Sequence, residues 1–167
     1  TNLSTLKNMQ HIVSPTKDGI QFGDYLQALE SYREQLPPEV AAFACDETRF
    51  ALHHPSSLHD AWVEQISICE SRAMDQKPSA ISIVLTLLGP MHDRWIILTY
   101  EEVSTYLITG GKNPNSTPHT LHGDIWTHEV RLSKQQEVVH EIAVGDGGSI
   151  EVTCKMFQVE ERAITQG

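Results

Sequence analysis

Basic side chains are scarce in this sequence. Only 12 Lys and Arg stand against 22 Asp and Glu, a formal net charge of −10. A nucleic-acid binder needs a basic surface to displace counterions, so no nucleic-acid partner is expected. Long apolar runs are lacking too. A spanning helix needs about 18 or more consecutive apolar residues, and none is present, so no membrane partner is expected. No charged-then-apolar start points to secretion. Cysteine is sparse and odd in number: Cys45, Cys69 and Cys154 are widely spaced, which predicts free thiols in a reducing, cytoplasmic setting. Gly-x-Ser-x-Gly, Cys-x-x-Cys and His-Glu-x-x-His are all absent. The glycine pairs lack the strand-to-helix context of a phosphate loop, so they are read as turns.

What is present suits one domain of 167 residues, large enough to bury a core without disulfides or metal. Residues 1–22 are expected to be loose, 23–52 helical, and 58–162 an antiparallel sheet. The stripe Tyr25, Leu29, Tyr32, Leu36 predicts a helix from Asp24 to Leu36. Asp24 and Gln27 resemble a capping box, and Pro37-Pro38 ends the helix. A second helix is expected from Glu39 to Leu52, burying Val40, Phe43, Ala44, Glu47 and Phe50. Beyond His53-His54-Pro55 the pattern alternates. Strands are expected over 62–68, 81–87, 95–100, 103–108, 125–132, 137–144 and 150–160, with a loop over 110–118. Short connections favour a meander. The fold class is therefore read as α+β, with two N-terminal helices packed on a roughly seven-stranded antiparallel meander.

A short echo runs through the chain. His59-Asp60-Ala61-Trp62 recurs as His92-Asp93-Arg94-Trp95, and as His122-Gly123-Asp124-Ile125-Trp126 with one inserted glycine. All three tryptophans lie in it, each at a strand start. A duplicated hairpin would give this pattern. So would independent turns, because Asp favours turns and Trp favours strands. Adjacent His and Asp on a strand point to opposite faces, so these pairs are read as turn and strand-edge residues.

The sharpest site expectation comes from side-chain parity. Even positions of 125–132 carry Trp126, His128, Val130 and Leu132; even positions of 137–144 carry Val138, His140, Ile142 and Val144. Pairing must match the apolar faces. The simplest register sets His128 opposite His140. A turn at Asp146-Gly147-Gly148 then sets His140 opposite Cys154. A row His128–His140–Cys154 would hold zinc, or a thiolate beside a base. The same residues also fit a core, as hydrogen-bonded histidines and a small apolar thiol. Acidic side chains Glu101, Glu102, Asp124, Glu129, Glu137 and Glu141 fall on or near the less apolar face. They form a candidate partner-binding patch, or an ordinary solvated face.

Three groups of residues carry a family resemblance: Ser57-Leu58-His59-Asp60-Ala61-Trp62; Leu88-Gly89-Pro90-Met91-His92-Asp93-Arg94 with Tyr100-Glu101-Glu102-Val103; and His122-Gly123-Asp124 with His128-Glu129-Val130-Arg131-Leu132. Over residues 57–160 the chain resembles a group of small uncharacterised bacterial β-rich proteins with LHDA, HDR and THE-type strand motifs. That group is similar to the immunity proteins of polymorphic toxin systems. The resemblance implies a cytoplasmic, non-enzymatic protein that binds and neutralises a toxin, with no cofactor and no catalytic residues. A basic toxin domain would meet the acidic balance. Two other functions stay open: a small zinc- or thiol-dependent enzyme on the His-His-Cys row, and a structural or assembly module.

Overall fold

The computed structural model describes residues 13–16, 19–21, 23–72, 78–111 and 122–165. Within 1–22, the described residues pair as a short antiparallel ladder, β1 (Val13–Thr16) and β2 (Gly19–Gln21). The rest of that segment, and the expected 110–118 loop beyond Gly111, lie outside the described residues. Among the described residues no helix is long and apolar enough to cross a membrane.

Helix α1 (Gly23–Tyr32) continues into a 3-10 turn over Arg33–Gln35. Asp24 lies inside the first turn rather than ahead of it. The expected stripe is the buried face, with Tyr25, Leu29 and Leu36 in the core. Helix α2 (Pro38–Ala44) is shorter than the spacing suggested. Its end is set by Asp46, whose carboxylate accepts from the Thr48 N–H at 3.0 Å and starts a separate 3-10 turn, Glu47–Arg49. A side chain that caps a new turn stops the old helix.

Six strands follow: β3 (Trp62–Ser71), β4 (Ala80–Leu88), β5 (Arg94–Thr109), β6 (Ile125–Leu132), β7 (Val138–Val144) and β8 (Gly148–Ala163). They form one antiparallel sheet in the order β3-β4-β5-β8-β7-β6. The expectation of a seven-stranded meander under two helices is thus corrected twice. Among the described residues the fold is mostly β, with one six-stranded sheet, the short β1–β2 ladder and two short helices. The expected strands 95–100 and 103–108 are one strand, because Glu101-Glu102 makes a bulge rather than a turn. Glu102 has φ +48° and the register shifts between Val103 and Thr105, yet both halves of β5 pair with β8. The order is also not a simple meander. Two three-stranded meanders, β3-β4-β5 and β6-β7-β8, are joined through their last strands.

The join is offset. The first half of β5 pairs with β4 and the second half of β8; the first half of β8 pairs with β7 and the second half of β5. The offset curls the sheet until its two outer strands touch at their starts. Trp62 bridges Asp124, the Asp60 N–H donates to the Ile125 carbonyl at 2.9 Å, and the Ile125 N–H donates to the Ala61 carbonyl at 2.9 Å. Antiparallel strands that meet at their first residues run apart from there, so the contact is a seam of a few residues.

The helices fill the inner face. Phe43 of α2 packs edge-on against Phe157 of β8 at 5.2 Å between centroids. Helix α1 also covers the free edge of β6. The Val130 N–H donates to the Tyr25 hydroxyl at 3.2 Å, and the Tyr32 hydroxyl donates to the Val130 carbonyl at 2.8 Å. Both outward backbone groups of that edge residue are satisfied, which protects the edge from pairing with another chain.

Gly145 holds the β7–β8 turn against the seam. Its N–H donates to the Asp124 carbonyl at 2.9 Å, its φ is +50°, and an added Cβ would lie 2.6 Å from the His122 carbonyl oxygen. Gly145→Ala is expected to cost about 1–3 kcal/mol, read as a lower urea midpoint with an unchanged slope.

Candidate functional site

The last two hairpins keep the expected parity but not the expected register. Each is shifted by two residues. His128 lies opposite Ile142, and His140 opposite Val130 and Val152. Cys154 lies opposite Val138 and Val103, so the row His128–His140–Cys154 does not form. Among the described residues no three His, Cys, Asp or Glu are grouped to hold a metal ion.

The two histidines meet diagonally instead. His140 Nε2 is 3.2 Å from His128 Nδ1, and the Tyr100 hydroxyl is 2.8 Å from His140 Nδ1. Burial holds the Tyr100 phenol well above its ordinary value, with the nearby Cys154 adding to it, so the phenol keeps its proton and donates. His140 then carries its proton on Nε2 and donates to His128. Both imidazoles are neutral. Burial pushes His128 down to about 3; the Arg49 backbone opposes this and the Arg49 charge adds to it. Burial, then the His128 ring, then Arg131 hold His140 far below its ordinary value.

Both rings also pack as aromatics. His128 stacks on Phe50 at 4.2 Å, and His140 stacks on Phe157 at 5.0 Å. Phe43 touches both. The pair therefore ties the helical segment to the sheet. Burial, with Glu137 nearby, pushes the Cys154 thiol up to about 12, so it stays protonated at neutral pH and is a poor nucleophile.

The shifted register aligns a different row. Glu129, Glu141 and Glu151 lie directly opposite one another across β6, β7 and β8. Like charges so placed repel. Arg131 answers all three: its guanidinium is 2.7 Å from Glu141, 3.1 Å from Glu151 and 3.5 Å from Glu129. Burial raises the Glu141 carboxyl; Arg131 opposes that, and Glu151 and Glu129 add to it. The six acidic residues nominated from sequence therefore do not form one surface. Glu129 and Glu141 are buried. Glu101 is exposed on β5, with Glu102 beside it on Lys155 at 2.8 Å. Glu137 is half-buried in the β6–β7 turn, and Asp124 sits at the seam.

At that seam the sequence echo becomes spatial. Its first and third copies open the two meanders and hydrogen-bond to each other. The second enters β5 through the Gly89–His92 turn, closed by the His92 N–H on the Gly89 carbonyl at 2.8 Å, and brings the His92 ring 6.2 Å from Trp62, edge to face. Each copy turns on one left-handed residue: Asp60 at φ +62°, His92 at +55° and Gly123 at +70°. Asp tolerates that region better than most side chains.

His59 Nδ1 lies 3.2 Å from Asp60 Oδ2. The Asp124 carboxyl is raised, by burial first and then by the charge of Asp60, with His59 and His92 pulling the other way. These four titratable groups share one field. Trp62 is 52% exposed and Trp126 44%. Trp126 is the extra residue of a bulge between Ile125 and Thr127, which puts Ile125 in the core and the indole in solvent, reversing their expected faces. Trp62, Leu88 and Trp95 are aligned across β3, β4 and β5. Exposed indoles beside paired carboxylates recognise cations and basic side chains. The echo was the sequence signal for this cluster. Taken one by one, its members are ordinary turn residues; what brings them together is the join between the two meanders.

Two outcomes follow from the buried charges. An unfolded histidine takes a proton near pH 6.5, whereas folded His128 waits until about pH 3. The unfolded chain thus binds more protons over that window, and stability falls as pH falls from 6.5 by about 1.4 kcal/mol per pH unit for each buried histidine. Urea unfolding between pH 7.5 and 5 checks this, with His128→Leu flattening the slope. Arg131→Met leaves the glutamate row uncompensated and is expected to cost about 3–5 kcal/mol. Urea unfolding at pH 8 and at pH 5 reads it: the deficit should shrink at the lower pH, as Glu141 takes up a proton.

No family model, curated protein or solved structure matches the chain.

Proposed function

We propose that this chain is a non-enzymatic acidic binding protein, an immunity protein that binds and neutralises a basic toxin domain in the cytoplasm. The observation that carries the reading is how its positive charge is used. Arg33, Arg49, Arg94, Arg131, Lys155 and Arg162 each sit within ion-pair distance of a carboxylate of the chain itself. These are six of the 12 basic residues, and with 22 acidic residues and a net charge of −10 carboxylates are in excess. Such a field speeds the approach of a basic partner and penalises an acidic one. The LHDA, HDR and THE-type resemblance supports the same function. Three free cysteines suit a reducing compartment.

The test is the gene beside this one. The expected result is a basic domain that arrests growth when expressed alone and not when this chain is co-expressed. The purified pair should associate at low salt and weaken steeply as salt rises. A neighbour with no such activity, together with no salt-sensitive basic partner retained from the parent cell, overturns the reading.

A further inference from the structure

We propose that the seam where the two meanders meet is the docking surface for the basic partner, and that an arginine side chain of that partner lies between the Asp60 and Asp124 carboxylates against the indoles of Trp62 and Trp126. The proposal rests on the basic-partner reading above and assigns it a place.

Three observations converge on this surface. The first is an unbalanced charge. Asp60 and Asp124 lie close enough to repel, and the groups opposing them are the imidazoles of His59 and His92. Arg94, the guanidinium of the same echo, is committed elsewhere: Nε and Nη2 hold the Asp93 carboxylate, each at 3.0 Å, and Nη1 holds Glu161 at 2.8 Å. A cation from outside would relieve the repulsion without breaking an existing pair.

The second is aromatic exposure. Trp62 and Trp126 present more than two-fifths of their surface, as among the described Trp, Tyr and Phe rings only Tyr106 on β5 also does, while Tyr25, Phe43, Tyr100 and Phe157 are buried. Indole faces attract cations, and guanidinium stacks on them better than ammonium does. Met91, 45% exposed in the turn that carries His92, adds an adaptable apolar rim.

The third is rigidity. Asp60, Ile125 and Gly145 donate backbone hydrogen bonds across the seam, and the Ile164 N–H ties the Asp93 carbonyl at 2.8 Å. Side chains set on such turns lose little freedom on binding. A neutral sugar could use the indoles, but it would leave the carboxylate repulsion unanswered.

The test uses the full chain, labelled with nitrogen-15. Its three tryptophans give three indole N–H signals, assigned with single Trp→Phe variants. An octa-arginine peptide is titrated at low salt. The expected result is that the Trp62 and Trp126 signals move first. Asp60→Asn with Asp124→Asn should weaken binding by about tenfold or more. Glu101→Gln with Glu137→Gln removes the same charge elsewhere and should change binding by less than about twofold. Trp62→Ala should also weaken binding, with an unchanged amide spectrum showing that the fold is intact.

Equal loss in the two charge-matched double variants, or shifts centred on Glu101 and Glu102, overturns the seam as the docking surface and leaves the basic-partner reading standing. No binding of the peptide anywhere at low salt overturns both. Movement of the same indoles with a neutral oligosaccharide, and not with the peptide, overturns the seam proposal in favour of a carbohydrate site.

Discussion

The pairing of β5 with β8 is the constraint on which the rest of the molecule depends. Each strand is 16 residues long, and they run together from Arg94 opposite Ala163 to Thr109 opposite Ser149. Neither strand's far neighbours cover it fully. β4 uses one half of the ribbon and β7 the opposite half. The offset makes the sheet curl instead of lying flat, leaves an inner face for the helices to fill, and brings β3 and β6 together at their starts. The bulge at Glu102 sits at the changeover between the two halves. A bulge adds local twist, and it falls where the sheet passes from one meander to the other.

Much of this was legible in residue patterns, and the parts that were not have physical reasons. The stripe Tyr25–Leu29–Leu36 and the strand alternation identify the buried faces, because burial follows period. Parity likewise placed His128 and His140 on one face. Register did not follow, because a shift of two residues keeps every side chain on its face. The alternative that forms sets Ile142 opposite Ile150 and Val138 opposite Cys154, in place of the expected pairs. The Glu101-Glu102 step reads as a turn because polar residues interrupt an apolar run. It is a bulge because β8 continues beside it. Glu129 and Glu141 read as solvated, yet both are buried with Arg131, a grouping visible only when three strands are aligned.

The helical segment acts on the sheet through polar contacts as much as apolar ones. Tyr25 and Tyr32 close the β6 edge at Val130, and Phe50 and Phe43 enclose two neutral imidazoles. Arg49 joins this segment to the far end of β8, its guanidinium 2.7 Å from Glu161, which in turn accepts from Arg94. Burial and the hydrogen bonds from Arg94, Arg49 and Ser56 pull the Glu161 carboxyl in opposite directions, and the hydrogen bonds win, holding it below its ordinary range. The carboxylate is thus charged at neutral pH, and it bridges the helices, the β5 entry turn and β8. That turn carries His92 to the seam, so the position of one exposed imidazole is fixed by an ion pair reaching back to the helices.

The two polar concentrations of this protein have opposite chemistry, and the difference bears on where function resides. The Tyr100–His140–His128 chain is enclosed and neutral, and the Arg131 row sets one guanidinium among three carboxylates, of which Glu129 and Glu141 are buried. Their polar atoms pair with one another except for His128 Nε2, which has no hydrogen-bond partner among the described residues, and reaching the imidazoles would require opening the core. The seam is the reverse. Its carboxylates repel, its indoles face solvent, and its backbone is locked by turns in left-handed conformations that cost energy to hold. Where like charge and exposed indoles meet on a backbone held in left-handed turns, a cationic partner can lower the free energy. On physical grounds the three copies of a weak sequence echo are therefore better understood as the parts of one surface than as the remnant of a duplicated hairpin.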